Sequence, residues 1–115
     1  MKRNTLYTGQ TLHQGEQLTA QNSDCKAMLL RNGNLNVYIN GSQKWSSNTA
    51  GKGVGPYHLT MQQNGHLVLA DSKNKTLWGY GSKYGAGQKI LVMQDGGNLS
   101  TWANGNRRWG TGTRK

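Results

Sequence analysis

Three tryptophans, Trp45, Trp78 and Trp109, stand 33 and 31 residues apart, and Asn34, His66 and Asn98 stand 32 and 32 apart. Each tryptophan closes a segment of the same form: RNGNLNVYINGSQKW, QNGHLVLADSKNKTLW and DGGNLSTWANGNRRW. Within each, a turn leads to Asn or His, then leucine, then a strand-like run. A period of this length kept three times describes three copies of one supersecondary unit, none of which can bury its apolar face alone. The first twenty residues, with TLYTGQTL and QGEQL, supply strands that complete the set.

Helix is excluded by punctuation. Gly, Asn, Ser and Thr interrupt the chain every few residues, so no apolar 3.6 period survives. The units read as β-hairpins, and parity fixes their register. A two-residue Asn64-Gly65 loop would mix polar and apolar side chains on both faces. A three-residue loop with Gly65 left-handed puts Leu59, Met61, Leu67 and Leu69 on one face, with Thr60, Gln62, His66, Val68 and Ala70 on the other. The first copy then buries Ala27, Leu29, Leu35 and Val37, and the third buries Leu91, Met93, Leu99 and Thr101. All three agree, which predicts a single all-β domain over residues 1–115 with pseudo-three-fold symmetry. Phenylalanine is absent and only 33% of residues are hydrophobic, so the four tryptophans are expected to carry much of the core, with Trp45, Trp78 and Trp109 at its centre.

The opposite faces carry Gln, Asn, His and aromatic residues at alternate positions. Amide side chains both donate and accept, which suits the paired hydroxyls of a sugar, and an aromatic ring covers a pyranose C–H face. The alternative is that Asn32, Asn64 and their neighbours only form turns.

With TLYTGQTLHQGEQL in front, and WSSNTAGKG and WGTGT behind the first and last tryptophans, residues 4–113 resemble the monocot bulb lectins, the snowdrop-type mannose-binding agglutinins. The resemblance implies a β-prism of three four-stranded antiparallel sheets. It also implies one mannose site per sheet, written Gln-x-Asp-x-Asn-x-Val-x-Tyr across the hairpin turn. In the first copy Asn34 and Tyr38 match that pattern, with Leu30, Asn32 and Asn36 at its other positions. In the second Gln62 and Val68 match, beside Asn64, His66 and Ala70. In the third Gln94 and Asn98 match, beside Gly96, Ser100 and Trp102. The candidate sugar-binding residues are therefore Asn32, Asn34, Asn36 and Tyr38; Gln62, Asn64, His66 and Val68; and Gln94, Asn98, Ser100 and Trp102. The aspartate is missing from every copy, so a charge-assisted bond to a sugar hydroxyl is lost or weakened, and the sites are degenerate. Asp95 neighbours Gly96 but should point to the other face. The cysteine pair implied by the resemblance falls at Gly33 and Tyr57, where no disulfide can form.

Cys25 is the one cysteine, so there is no disulfide framework and no zinc pattern; such a residue reads as a small buried side chain. Glu16, Asp24, Asp71 and Asp95 are the only acids, and nothing places two of them across a cleft as a glycosidase requires. Neither an enzyme, a cofactor nor a metal is expected. His58 and His66 should stand roughly 13 Å apart along the hairpin, too far to share a metal. The net charge of +10 suits anionic company; Lys2, Arg3, Arg107, Arg108, Arg114 and Lys115 gather at the two ends. No recognised nucleic-acid motif is present, and membrane disruption by the NRRWGTGTRK tail is opposed by the core spacing of Trp109.

The favoured reading is a non-enzymatic lectin for mannose or a related sugar, acting on glycans through repeated sites. The alternatives are a lectin-like antimicrobial protein of the bacteriocin kind, or a prism scaffold acting through protein or anionic-surface contacts. The resemblance further implies a homodimer that exchanges its C-terminal strand. No window approaches the ~20 apolar residues of a membrane span, and the N-terminus lacks an apolar signal region. A cytoplasmic location, or release without a cleaved signal, is the expectation.

Overall fold

The computed structural model describes residues 3–81 and 87–115; Lys2 lies outside them. Three short strands come first, β1 (Thr5–Tyr7), β2 (Thr11–His13) and β3 (Gln17–Thr19). Three three-stranded units follow: β4 (Cys25–Leu29), β5 (Leu35–Ile39) and β6 (Ser42–Ser46); β7 (His58–Met61), β8 (Leu67–Ala70) and β9 (Thr76–Tyr80); β10 (Lys89–Met93), β11 (Leu99–Ala103) and β12 (Asn106–Gly110). The described residues contain no helix.

Each unit receives one N-terminal strand, giving three four-stranded sheets ordered β3-β4-β5-β6, β2-β7-β8-β9 and β1-β10-β11-β12. All the pairings are antiparallel. The N-terminal segment can visit all three sheets because Leu6, Leu12 and Leu18 recur every six residues, each fully buried. Between them Gly9 and Gly15, at φ +83° and +88°, turn the chain from one sheet to the next, a conformation that costs glycine no steric penalty.

The hairpin register is the one parity predicts. Gln62 N donates to His66 O at 2.9 Å and Gly65 N to Gln62 O at 3.0 Å, closing a three-residue loop. The same bonds join Leu30 to Asn34 and Gln94 to Asn98, and Gly33, Gly65 and Gly97 all lie near φ +100°. The third strand of every unit carries one extra residue: Lys44, Leu77 or Arg108 is passed over in the pairing. Such a bulge strengthens the local twist and re-aims side chains.

The core is leucine-rich, with Met61 and Met93 among the fully buried side chains. This corrects the expectation for the tryptophans. Trp45, Trp78 and Trp109 are only partly buried and pack against the core. They form a ring of edge-to-face contacts with centroids 5.4 to 5.7 Å apart. The physical reason is size: one leucine from each of many strands fills a narrow three-fold interior more easily than three indoles. The fourth, Trp102, belongs to an outer face.

Candidate functional site

The outer face of each sheet holds a shallow cavity at an equivalent place. In the first, Tyr38 lines about 400 Å³ together with Asp24, Lys26, Met28 and Asn40. In the second, Gln62 and Val68 line about 320 Å³ with His58, Thr60, Ala70 and Thr76. In the third, Gln94 and Trp102 line about 210 Å³ with Gln88, Ile90, Val92 and Gly105. Tyr38, Gln62, Val68, Gln94 and Trp102 thus each line one of these cavities. The pattern does not include Lys26, His58 and Ile90; the same alternation, carried four residues back from its first position along β4, β7 and β10, identifies them.

Other candidates have different duties. Asn32 Oδ1 accepts from Asn34 N and Asn64 Oδ1 from His66 N, both at 3.0 Å; these are turn-forming bonds. Asn34 Oδ1 accepts from Thr49 N at 2.9 Å and Ala50 N at 3.1 Å, and Asn98 Oδ1 from Gly112 N at 3.0 Å. Each asparagine thereby clasps the chain that leaves the third strand. Beneath the clasp Ser47 Oγ meets Thr49 Oγ1 at 2.6 Å, and Thr111 Oγ1 meets Thr113 Oγ1 at 2.6 Å. The second copy has His66 at the asparagine position and Tyr80 at the Ser47 and Thr111 position. His66 lines a separate cavity with Val68 and Tyr80.

Asn36 and Ser100, expected among the sugar contacts, are 3% and 0% exposed. Asn36 Nδ2 donates to the Tyr38 hydroxyl at 3.0 Å, while its buried Oδ1 has no partner. In the third copy Trp102 Nε1 donates to Ser100 Oγ at 2.9 Å, and Ser100 Oγ donates to Gln94 Oε1 at 3.0 Å. That relay occupies the amide oxygen of Gln94 and leaves its Nε2 as the group available to donate. Beside it stands an indole whose polar edge is already satisfied. Asp95 is directed elsewhere, as its neighbour position predicts: its Oδ1 accepts from Asn22 N at 3.0 Å.

The chain is 31% identical to a mannose-specific lectin of Aloe arborescens over 111 residues, covering 91% of this chain and 99% of that protein. It belongs to the monocot mannose-binding lectin family. A mannose-specific lectin of Remusatia vivipara is 34% identical over 95 residues, 82% of this chain; the chain spans about a third (35%) of that protein's length. No protein-family profile matches the sequence. Among solved structures, monomeric mannose-binding lectins from Gastrodia elata superpose with a TM-score of 0.88 at 27% identity, covering 97% of this chain and 99% of theirs. The snowdrop (Galanthus nivalis) agglutinin complexed with methyl-α-D-mannoside gives 0.79 at 30% identity, covering 97% and 98%. The three-sheet architecture is therefore the β-prism of this family.

Proposed function

We propose that the protein is a non-enzymatic lectin that binds mannose or a related neutral sugar with altered specificity, and that the third outer cavity is its principal pocket. The observation that carries this reading is the Trp102–Ser100–Gln94 relay. It holds an amide donor and an aromatic face side by side at a cavity wall, and a sugar needs one of each: a hydroxyl to accept the amide proton and a C–H face for the indole. Gly96 stands where the family's site pattern has aspartate. The pocket therefore offers donors without a carboxylate, which favours a sugar presenting an acceptor there over one presenting a hydroxyl proton. The first cavity, with Tyr38 held by Asn36, is a weaker second site, and linkage of the two on one chain raises avidity toward branched glycans.

A glycan array at low salt and at about 0.5 M salt, where the Debye length falls to about 4 Å, tests the reading. Binding to mannose-containing or related neutral glycans should persist at high salt and fall in Gln94→Ala and Trp102→Ala. Absence of any neutral-glycan signal, or equal retention by both variants, overturns it.

A further inference from the structure

The second copy departs from the other two at both clasp positions, and a cleft lies where it does so. Tyr80 stands where Ser47 and Thr111 keep small hydroxyls, and it is 47% exposed. Its ring lies 5.4 Å from that of Trp109, tilted by 34°. On one side Tyr80 and Arg108 line a cavity of about 580 Å³ with His66, Val68 and Thr76. On the other, the same two residues line about 370 Å³ with Asn98, Arg107 and Trp109. Arg108 is the bulge residue of β12, so its side chain is set by the local kink and not by the strand's alternation. Among the described residues, no acidic side chain lines either cavity.

We propose that this cleft, which shares Val68 and Thr76 with the second outer-face pocket but is built around Tyr80 and Arg108, is a further saccharide site, and that it takes an anionic sugar unit. A pyranose ring packs on Tyr80, which Trp109 supports from behind. Its carboxylate or sulfate meets the Arg108 guanidinium, whose planar fork matches either anion through paired charge-assisted bonds. Arg107, in the adjoining cavity, adds positive charge for a neighbouring unit of the same chain. The combination of one aromatic face and one guanidinium fork selects for a charged sugar over a bare anion or an uncharged sugar, because each alone supplies half of the contact. The inference rests on the reading of the chain as a glycan binder, but on different residues.

Calorimetric titration of the full chain at about 0.15 M salt with trigalacturonate, a sulfated heparin tetrasaccharide, mannotriose and sodium sulfate separates the possibilities. At least one charged sugar should bind, and which one distinguishes carboxylate from sulfate recognition. Tyr80→Ala and Arg108→Gln should each weaken that binding about tenfold or more, Tyr80→Phe should retain it, and sodium sulfate at equal concentration should not displace it. Mannotriose binding should be the same in all variants. The inference is overturned if neither charged sugar binds, if Tyr80→Ala binds as tightly as the parent, or if sulfate competes equally. Failure of mannotriose to bind the parent protein counts against the proposed function alone.

Discussion

The ring of Tyr57 fills the place that a side chain on Gly33 would need. A β-carbon built on Gly33 would stand 2.9 Å from Tyr57 Cζ and 3.2 Å from the carbonyl oxygen of Thr49. These are the two positions at which resemblance to the bulb lectins places a disulfide. An aromatic ring, 6% exposed, thus packs where a covalent bridge would run. Tyr57 is itself fixed to the loop before β3, since Gln14 N donates to Tyr57 O at 3.0 Å and Tyr57 N donates to Gln14 Oε1 at 3.2 Å.

Substitution on either side of this contact should be costly, and the two costs should interact. Gly33→Ala meets both the ring and a left-handed φ of +98°, for about 2–4 kcal/mol in all. Tyr57→Ala should cost about 3–5 kcal/mol through the cavity it leaves. In the double variant the clash with the ring is gone, while the backbone strain at position 33 and the close approach to the Thr49 carbonyl remain, so denaturant unfolding should give a loss smaller than the sum. Strict additivity would mean that the two residues are not in contact in solution.

The Cys25 thiol should be inert in the native protein. It is fully buried, and burial pushes its pKa up; Lys115 opposes this, while Asp24 and Asp95 reinforce it. Because the thiolate is the reactive form, alkylation by iodoacetamide at neutral pH should be about a hundredfold slower than in denaturant. Rapid native labelling would place the residue at an accessible surface.

The hairpins were legible because their two faces differ in kind: Leu59, Met61, Leu67 and Leu69 on one and polar residues on the other leave one register that buries the apolar set. The left-handed glycines at 33, 65 and 97 follow from the same parity. What the sequence could not disclose was depth. Asn36 and Ser100 sit on the outer face by alternation, yet the side chains of Tyr38 and Trp102 bond to them from two residues along the strand, and alternation carries no information about such cover. Trp45, Trp78 and Trp109 misled for a related reason. Their spacing reports the three-fold axis, but a residue on the axis can lie at the end of a core as well as at its centre.

Asp71 should make stability depend on acid. Its carboxylate is 2% exposed and accepts from Lys75 N and Lys73 N at 2.9 Å and from Val54 N at 3.2 Å. These bonds hold its pKa below the ordinary 3.8: the N–H of Lys75 contributes most, burial works in the opposite direction, and Val54, Lys73 and the Lys75 charge add to the lowering. A depressed folded-state pKa gives stability that is fully present above the unfolded value and lost as pH falls through the folded one. The melting temperature should therefore drop as the pH falls through the ordinary carboxylate value of 3.8 and below it, and Asp71→Asn should drop less steeply while starting lower at neutral pH. An unchanged slope in the variant would rule out this carboxylate as a source of the acid dependence.

Ser100 should act on sugar binding only through its neighbours. It touches no solvent, yet it joins Trp102 Nε1 to Gln94 Oε1. Ser100→Ala should lower neutral-glycan affinity roughly three- to tenfold by freeing the Gln94 amide, whereas Ser100→Thr, which keeps the hydroxyl, should recover part of it. Loss of affinity in step with loss of melting temperature across both variants would reduce the residue to a packing role.

The chain should be a monomer in solution. β12 takes the fourth place in its own sheet, and it reaches β11 through a two-residue turn, Asn104-Gly105, with φ +53° and +81°. Right-handed strand twist favours such a turn. The C-terminus is then fastened in the same chain, Lys115 N donating to Gly96 O at 2.9 Å and Lys115 Nζ to Asp24 Oδ2 at 2.7 Å. Exchange of β12 between two copies, which the resemblance implied, would have to open that turn while remaking the same ladder, so it gains no hydrogen bonds within the sheet. Light scattering should give 12.6 kDa at working concentration. A stable species of about 25 kDa would overturn this, and its return to monomer on lengthening the Asn104-Gly105 turn would identify strand exchange as the mode of association, driven by contacts outside the sheet.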